Sequence, residues 1–163
     1  MIQVMGEALI DIIVSPGGEI DSVVGGGPVN TARTIARLGI QASFIGGISQ
    51  DALGKRVRRL LDSDGVNCAV ETACPEPTTL AIATLDESGA AAYQFLMNGT
   101  SSLSITPDVA LKALDHRAMA VHIGTLALVF RPLSQATRAV ISALSTHQLL
   151  MVDPNARPSV MND

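Results

Sequence analysis

Short apolar runs alternate with amphipathic stretches along the first third of the chain. Ile2–Met5 and Leu9–Val14 are apolar and rich in β-branched residues, and residues 42–45 form a third short apolar run; all three predict strands. Residues 29–38 and 52–64 instead place apolar side chains at helical spacing, which predicts helices. Strands and helices that alternate over short connections predict a mostly parallel sheet covered by helices on both faces.

A hairpin interrupts this alternation in the middle of the chain. Residues 78–85 and 90–96 predict two strands, and Asp86-Glu87-Ser88-Gly89 between them is a turn sequence. A hairpin inserted in such a series projects from the main sheet as a flap or a partner surface. Beyond it the alternation resumes, with helices predicted over 106–114 and 132–145 and strands over 118–123 and 148–152.

The stretch Gly25-Gly26-Gly27-Pro28 precedes the first helix and is a candidate binding site. Glycines let another molecule approach the backbone closely, and proline is favoured in the first turn of a helix. A helix that starts there presents unpaired N–H groups and the positive end of its dipole. Asn30, one turn further on, adds an amide that both donates and accepts hydrogen bonds.

Composition and charge narrow the kinds of partner. The 163 residues carry 11 basic and 15 acidic side chains, which give a formal charge of −4. The basic cluster at residues 55–59 is typical of a solvated helix face. We therefore expect no nucleic-acid partner. No stretch has the apolar length of a membrane span, and the N-terminus lacks the basic residues of a signal peptide. Cys68 and Cys74 match neither a zinc site nor a disulfide framework. We therefore expect a reduced, cytoplasmic protein with no membrane partner.

Known phosphate-binding motifs do not fit the glycine stretch. Pro28 and Asn30 stand where G-x-G-x-x-G needs glycines, and no Gly-Lys-Ser/Thr ending of a P-loop follows. Ligands of parallel sheets bind outside the carboxyl ends of the strands, where Asp11, the glycines, Asn30 and the pair Asp153 and Asn155 could meet. Carboxylates and amides with few cations suit sugar hydroxyls better than phosphate. On spacing alone, a strand-end carboxylate and a plain tight turn explain these residues equally well.

A series of motifs resembles the PfkB/ribokinase family of carbohydrate kinases and its fructokinase-like members. The motifs cover nearly the whole chain in the family's order. Ser49 stands where the family's signature usually closes with glycine, a mild change that we do not expect to disturb the site. In chain order the motifs are Gly6-Glu7 before Asp11, Gly25-Gly26-Gly27-Pro28-Val29-Asn30-Thr31-Ala32, Ala36-Arg37-Leu38-Gly39, Phe44-Ile45-Gly46, Gln50-Asp51-Ala52-Leu53-Gly54, Tyr93-Gln94-Phe95, Asn98-Gly99-Thr100, Gly124-Thr125-Leu126 and Asp153-Pro154-Asn155-Ala156-Arg157-Pro158.

The resemblance implies a ribokinase-like α/β fold, with a mostly parallel sheet flanked by helices and a small β lid built from segments near 12–24 and 78–96. Residues 1–163 would then be the N-terminal part of a kinase domain, whose C-terminal half is absent from this sequence. By matching motif, Asp11, Gly26, Gly27 and Asn30 would bind the sugar. Arg157 and the lid near residues 93–97 would add contacts.

The resemblance also bears on which sugar binds. Relatives that take 2-keto-3-deoxygluconate use an arginine around the position of Met97. The absence of that arginine here favours a neutral sugar such as fructose.

The implied reaction is transfer of a phosphoryl group from ATP to a sugar hydroxyl, with Mg²⁺. The family's catalytic aspartate lies in a Gly-Ala-Gly-Asp motif, which these 163 residues do not contain. We therefore expect no catalytic residue, nucleotide site or metal site in this chain, and no kinase activity from it alone, because phosphoryl transfer depends on positioning and electrostatic stabilisation. Two alternatives stay open: a non-catalytic sugar-binding or assembly module, and part of a nucleoside kinase of the adenosine type.

The expected partners are a small-molecule sugar and other copies of the chain. A sheet that continues in a longer protein leaves an inner edge and aliphatic surface exposed in this chain. We therefore expect self-association through that edge, and the resemblance implies a homodimer through the β lid.

Overall fold

The computed structural model describes residues 1–156, which form two sheets and four α-helices. The predicted site residue Arg157 lies outside the described residues. The strands are β1 (Ile2–Met5), β2 (Leu9–Val14), β3 (Ile20–Gly25), β4 (Ala42–Ile45), β5 (Asn67–Cys68), β6 (Thr79–Leu85), β7 (Ala91–Leu96), β8 (Ala120–Gly124) and β9 (Leu149–Asp153). The helices are α1 (Gly27–Arg37), α2 (Ala52–Ser63), α3 (Pro107–Ala113) and α4 (Leu133–Ala143).

The main sheet is parallel throughout and has the strand order β5-β4-β1-β8-β9, with β1 at its centre. Successive side chains of a strand point to opposite faces, so Val4 and Phe44 pack with α1 and α2. Met5, Ile45 and Ile123 pack on the other face with α3 and α4. The predicted parallel sheet with helices on both faces is confirmed.

The second sheet is mixed and has the order β3-β2-β6-β7. Its β6–β7 pair is the predicted antiparallel hairpin, and β2 pairs in parallel with β6. The pattern did not predict β3, because half of its positions are exposed and apolar and polar residues do not alternate cleanly along it. Antiparallel pairing with β2, in which Val23 lies opposite Asp11, defines this strand.

A buried polar cluster joins the second sheet to the link between β1 and β2. The hydroxyl oxygen of Thr79 lies 2.8 Å from those of both Thr100 and Ser102. Ser102 in turn donates a hydrogen bond of 3.0 Å to the backbone oxygen of Ala8. All three side chains are buried, so each hydrogen bond replaces water that cannot enter. The cluster thereby fixes β6 against the end of β1.

Strand β9 forms one edge of the main sheet and is exposed along its whole length. Leu149 and Val152 are 62% and 51% exposed, which is unusual for apolar residues of a parallel sheet. Self-association through this surface stays a prediction. Within residues 1–156, no helix combines the length and apolar character that crossing a bilayer requires.

Replacing Thr79 with valine tests how much the buried polar cluster contributes to stability. The change keeps the side-chain shape but leaves buried hydroxyl groups without their partner, so we expect a loss of about 1–3 kcal/mol in the free energy of unfolding. Thr84 lies on the same strand and is exposed, and Thr84→Val should change the value by less than about 0.5 kcal/mol. Urea unfolding of the parent chain, Thr79→Val and Thr84→Val measures both effects. Equal losses of unfolding free energy in the two variants would contradict this account of the buried polar cluster.

Candidate functional site

A cavity of about 390 Å³ opens beside the ends of β1 and β8 and the inner face of the second sheet. This volume falls in the range of small-molecule sites, roughly 300–1,000 Å³. Its position agrees with the general rule that ligands bind outside the carboxyl ends of parallel strands. The residues that line it are Glu7, Leu9, Asp11, Gly26, Gly27, Asn30, Tyr93, Phe95, Thr125, Leu126, Leu128, Val129, Pro154, Asn155 and Ala156.

The glycine loop, Gly25–Gly27, makes its closest contacts with the chain between β1 and β2. A Cβ on Gly25 would collide with the carboxylate of Asp11, which occupies that space. A Cβ on Gly26 would lie 2.6 Å from the backbone oxygen of Glu7, and Gly26 has a φ of 102°, a conformation that favours glycine. The loop therefore needs these glycines so that Asp11 and Glu7 can lie directly against it.

Helix α1 starts at Gly27 with its N-terminus open to the cavity. Gly26 is the N-cap residue and has no side chain to accept a hydrogen bond, and the first turn contains no acidic residue. This end keeps the positive end of the helix dipole, although Pro28 has no N–H group and the N–H of Asn30 donates to the backbone oxygen of Gly26. Asn30 is exposed one turn later and lines the same cavity.

Glu7 is only 2% exposed although it carries a carboxyl group. Its Oε1 accepts a hydrogen bond from the hydroxyl of Thr125, in the turn after β8, whereas its buried Oε2 has no partner. Burial raises the pKa of Glu7 from 4.5 to about 7, although the hydroxyl of Thr125 and the nearby N–H groups of Gly27 and Leu126 act in the opposite direction.

Asp11 is the second carboxylate of the cavity and is partly buried. Partial burial raises its pKa above the usual 3.8. No side chain in the described part of the chain donates a hydrogen bond to it, so its oxygens are available as acceptors. Tyr93 and Phe95 on β7 stack with ring centroids 5.9 Å apart and give the cavity an aromatic wall.

The structure brings four of the five predicted site residues together, since Asp11, Gly26, Gly27 and Asn30 all line one cavity. The fifth, Arg157, lies outside the described residues. Asn155 also lines the cavity, as do Tyr93 and Phe95 from the segment 93–97. Met97 in that segment instead packs in the core beneath the second sheet.

Sequence reasoning did not assign Glu7 and Thr125 to the site. Their motifs, Gly6-Glu7 and Gly124-Thr125-Leu126, were visible, but nothing local showed that they meet across 118 positions of sequence. A glutamate set between two buried strands is the one signal that could have indicated a special role.

The fold and the cavity define an α/β protein with a cavity of suitable size and polarity for a small polar ligand at the ends of its parallel strands. Two acidic side chains, an amide and a helix N-terminus supply polar contacts, and aromatic and aliphatic side chains supply the remaining wall. Within residues 1–156 no group of three or more histidine, cysteine or acidic residues is arranged to hold a metal ion.

Comparison with known proteins places this chain in a family. The sequence model of the pfkB family of carbohydrate kinases matches residues 1–163, so the chain belongs to that family. Among curated relatives, it is 32% identical over 167 residues to the fructokinase of Rhizobium leguminosarum bv. trifolii, a match that covers 100% of this chain and 51% of the relative. The chain therefore spans about half the length of that enzyme.

Solved structures agree on the ribokinase-like fold. The fructokinase of Xylella fastidiosa superimposes on this chain with a TM-score of 0.83 at 24% identity. The match covers 99% of this chain and 55% of the fructokinase chain. A further structure of the same fructokinase contains ATP. A double mutant of the Vibrio cholerae fructokinase, with fructose, ADP and potassium bound, gives a TM-score of 0.82 at 21% identity over 99% of this chain and 52% of that one. At these identities the likeness establishes the fold.

The raised pKa of Glu7 predicts a specific pH dependence of stability. The unfolded chain releases the Glu7 proton near its ordinary pKa of 4.5, whereas the folded protein holds it until about pH 7. The stability that Glu7 contributes is therefore complete below about pH 4.5 and is lost as the pH rises through about 7. Glu7→Gln removes this titration, so its free energy of unfolding should rise relative to the parent chain across that window.

Chemical unfolding of both proteins at several pH values between 4 and 8 measures this difference. Asp11, with a raised pKa, and His122, with a lowered one, also titrate but are present in both proteins, so their effects cancel. A difference that stays constant over the window would contradict a raised pKa at Glu7.

Proposed function

We propose that this chain is the sugar-binding part of a fructokinase-like enzyme and that a neutral sugar such as fructose is its ligand. The observation that carries the proposal is Asp11, whose carboxylate faces the cavity without a donor from the described side chains. Each carboxylate oxygen accepts hydrogen bonds from sugar hydroxyls. The side-chain amide of Asn30, one turn into α1, supplies both donors and a further acceptor beside it.

The charge of the cavity supports a neutral ligand. Among the described residues that line it, Glu7 and Asp11 are acidic and none is basic. An anionic sugar would meet like charge in a partly desolvated site, which is unfavourable by several kcal/mol when no cation compensates. The stacked Tyr93 and Phe95 offer an apolar surface to the C–H face of a sugar ring.

In the whole enzyme we propose ATP as the phosphoryl donor, with Mg²⁺. The family is one of carbohydrate kinases, and the related Xylella fastidiosa fructokinase has a structure with ATP. Among the described residues, no group of three or more histidine, cysteine or acidic side chains is arranged to hold a metal ion. Its role is to bind and orient the sugar, through Asp11, Gly26, Gly27 and Asn30, with Arg157 as a further proposed contact.

Asp11→Asn tests the sugar site. The substitution removes the charge and one acceptor, so we expect fructose to bind about tenfold to a hundredfold more weakly, the cost of losing a hydrogen bond to a charged group. Asp62 is exposed on α2 and does not line the cavity, so Asp62→Asn is the matched control and should leave the affinity unchanged.

Titration of the parent chain and both variants by NMR measures these affinities, with adenosine titrated in parallel. Binding of adenosine instead of fructose would favour the nucleoside-kinase alternative. Absence of fructose binding to the parent chain would refute the proposed function.

Phosphoryl transfer should not occur with the 163-residue chain alone. The chain contains no Gly-Ala-Gly-Asp motif, which carries the catalytic aspartate of the family that it resembles. Incubation with fructose, ATP and Mg²⁺, followed by detection of ADP and sugar phosphate, measures the activity. Turnover above that of an Asp11→Asn control would contradict this division between sugar binding and catalysis.

A further inference from the structure

We propose that Glu7 is a positioning residue of the sugar site, whose buried carboxyl holds the glycine loop and the turn after β8 at a fixed separation. The inference rests on the proposed function for its sugar readout, but the geometry behind it is independent of any ligand. The observations behind it are one side-chain hydrogen bond, two nearby backbone N–H groups and two close contacts that leave no room for a Cβ.

The carboxyl of Glu7 lies between the starts of two helical segments. On one side is Gly27, where α1 begins, and on the other is the 3-10 turn over Thr125–Leu128. Neither segment has a capping side chain of its own at its N-terminus. The N–H groups of Gly27 and Leu126 both act on the Glu7 carboxyl, and the hydroxyl of Thr125 donates to it. One buried acid therefore lies beside two helix starts that have no capping side chain of their own.

Two close contacts hold the glycine loop against Glu7 and against the turn after β8. Gly26 lies against the backbone oxygen of Glu7, where a Cβ would come within 2.6 Å. Gly27 lies against Thr125, where a Cβ would come within 2.6 Å of the methyl carbon. Thr125 has a φ of 57°, an uncommon backbone conformation for a β-branched residue, and its hydroxyl is the one that Glu7 binds.

The unpaired oxygen of Glu7 distinguishes this arrangement from ordinary core packing. Oε2 is buried and has no hydrogen-bond partner, which costs more than a satisfied polar group would. Leu at position 7 would avoid that cost but would lose the hydrogen bond to Thr125. The carboxyl is held through Oε1, which accepts the hydrogen bond of Thr125, and the backbone oxygen of the same residue lies against Gly26, so Glu7 links the glycine loop to the turn after β8.

The closing experiment is a double-mutant cycle on Glu7→Gln and Thr125→Val, measured as fructose affinity by NMR titration. Thr125→Val keeps the side-chain shape and backbone preference and removes only the hydroxyl. If Glu7 acts through Thr125, each single variant binds fructose about tenfold more weakly, and the double variant loses about tenfold as well, not a hundredfold. Thr125→Ser keeps the hydroxyl and should restore affinity to within about twofold.

Amide hydrogen exchange in the sugar-free chain gives a second readout that needs no ligand. Glu7→Gln and Thr125→Val should both speed exchange at the N–H groups of Gly27 and Leu126 by about tenfold. Glu76→Gln is the matched control, because Glu76 also has a buried carboxyl oxygen without a partner and does not line the cavity. It should leave the exchange of Gly27 and Leu126 unchanged.

The two readouts separate failure of this inference from failure of the proposed function. If the parent chain binds no fructose but exchange at Gly27 and Leu126 rises in both variants, the proposed function fails and Glu7 still positions the loops. If exchange is unchanged in both variants, or their effects on affinity are additive, the inference is overturned.

Discussion

Direct packing of one backbone segment on another, at the carboxyl end of β1, is the constraint on which the site depends. Gly6 leaves no room for a Cβ beside Pro28, and Gly26 leaves none beside the backbone oxygen of Glu7. The chain that leaves β1 and the chain that enters α1 therefore touch without side chains between them. This contact sets the direction of α1 and, with it, the position of Asn30 in the cavity.

That close contact also explains how acidic side chains are accommodated in a largely apolar region. A buried carboxylate without compensation is costly, and no basic residue contributes to the environment of Glu7 among the effects that set its pKa. Compensation comes from a hydroxyl and from backbone N–H groups at helix starts, which are available because the glycine loop brings them near. Asp11 differs, since it lines the cavity without a donor from the described side chains and so retains its capacity to bind a ligand.

The periodic elements of the main sheet and its helices could be predicted from the sequence, because apolar spacing encodes their burial. Asp51 is the N-cap of α2, and its carboxylate accepts a hydrogen bond of 2.7 Å from the N–H of Gly54. The exposed β3 carries no such signal and exists through its pairing with β2. The contact of Glu7 with Thr125 could not be predicted either, because a hydrogen bond between residues 118 positions apart produces no periodic pattern in the sequence. The glycine stretch indicated a part of the chain that lines the cavity, but not which buried acid lies against it.

Family membership and ligand choice therefore depend on different residues. The chain matches the family over residues 1–163, and its own fold depends on glycines such as Gly6 and Gly26, which allow the backbone contacts described above. Under the proposed function, ligand choice depends on the few side chains that line the cavity, where Asp11 disfavours anions and Tyr93 offers an apolar wall. A change of substrate within this fold would thus require only changes of charge at the cavity lining, such as a basic residue on the second sheet, while the glycine loop and its supporting carboxyl stayed as they are.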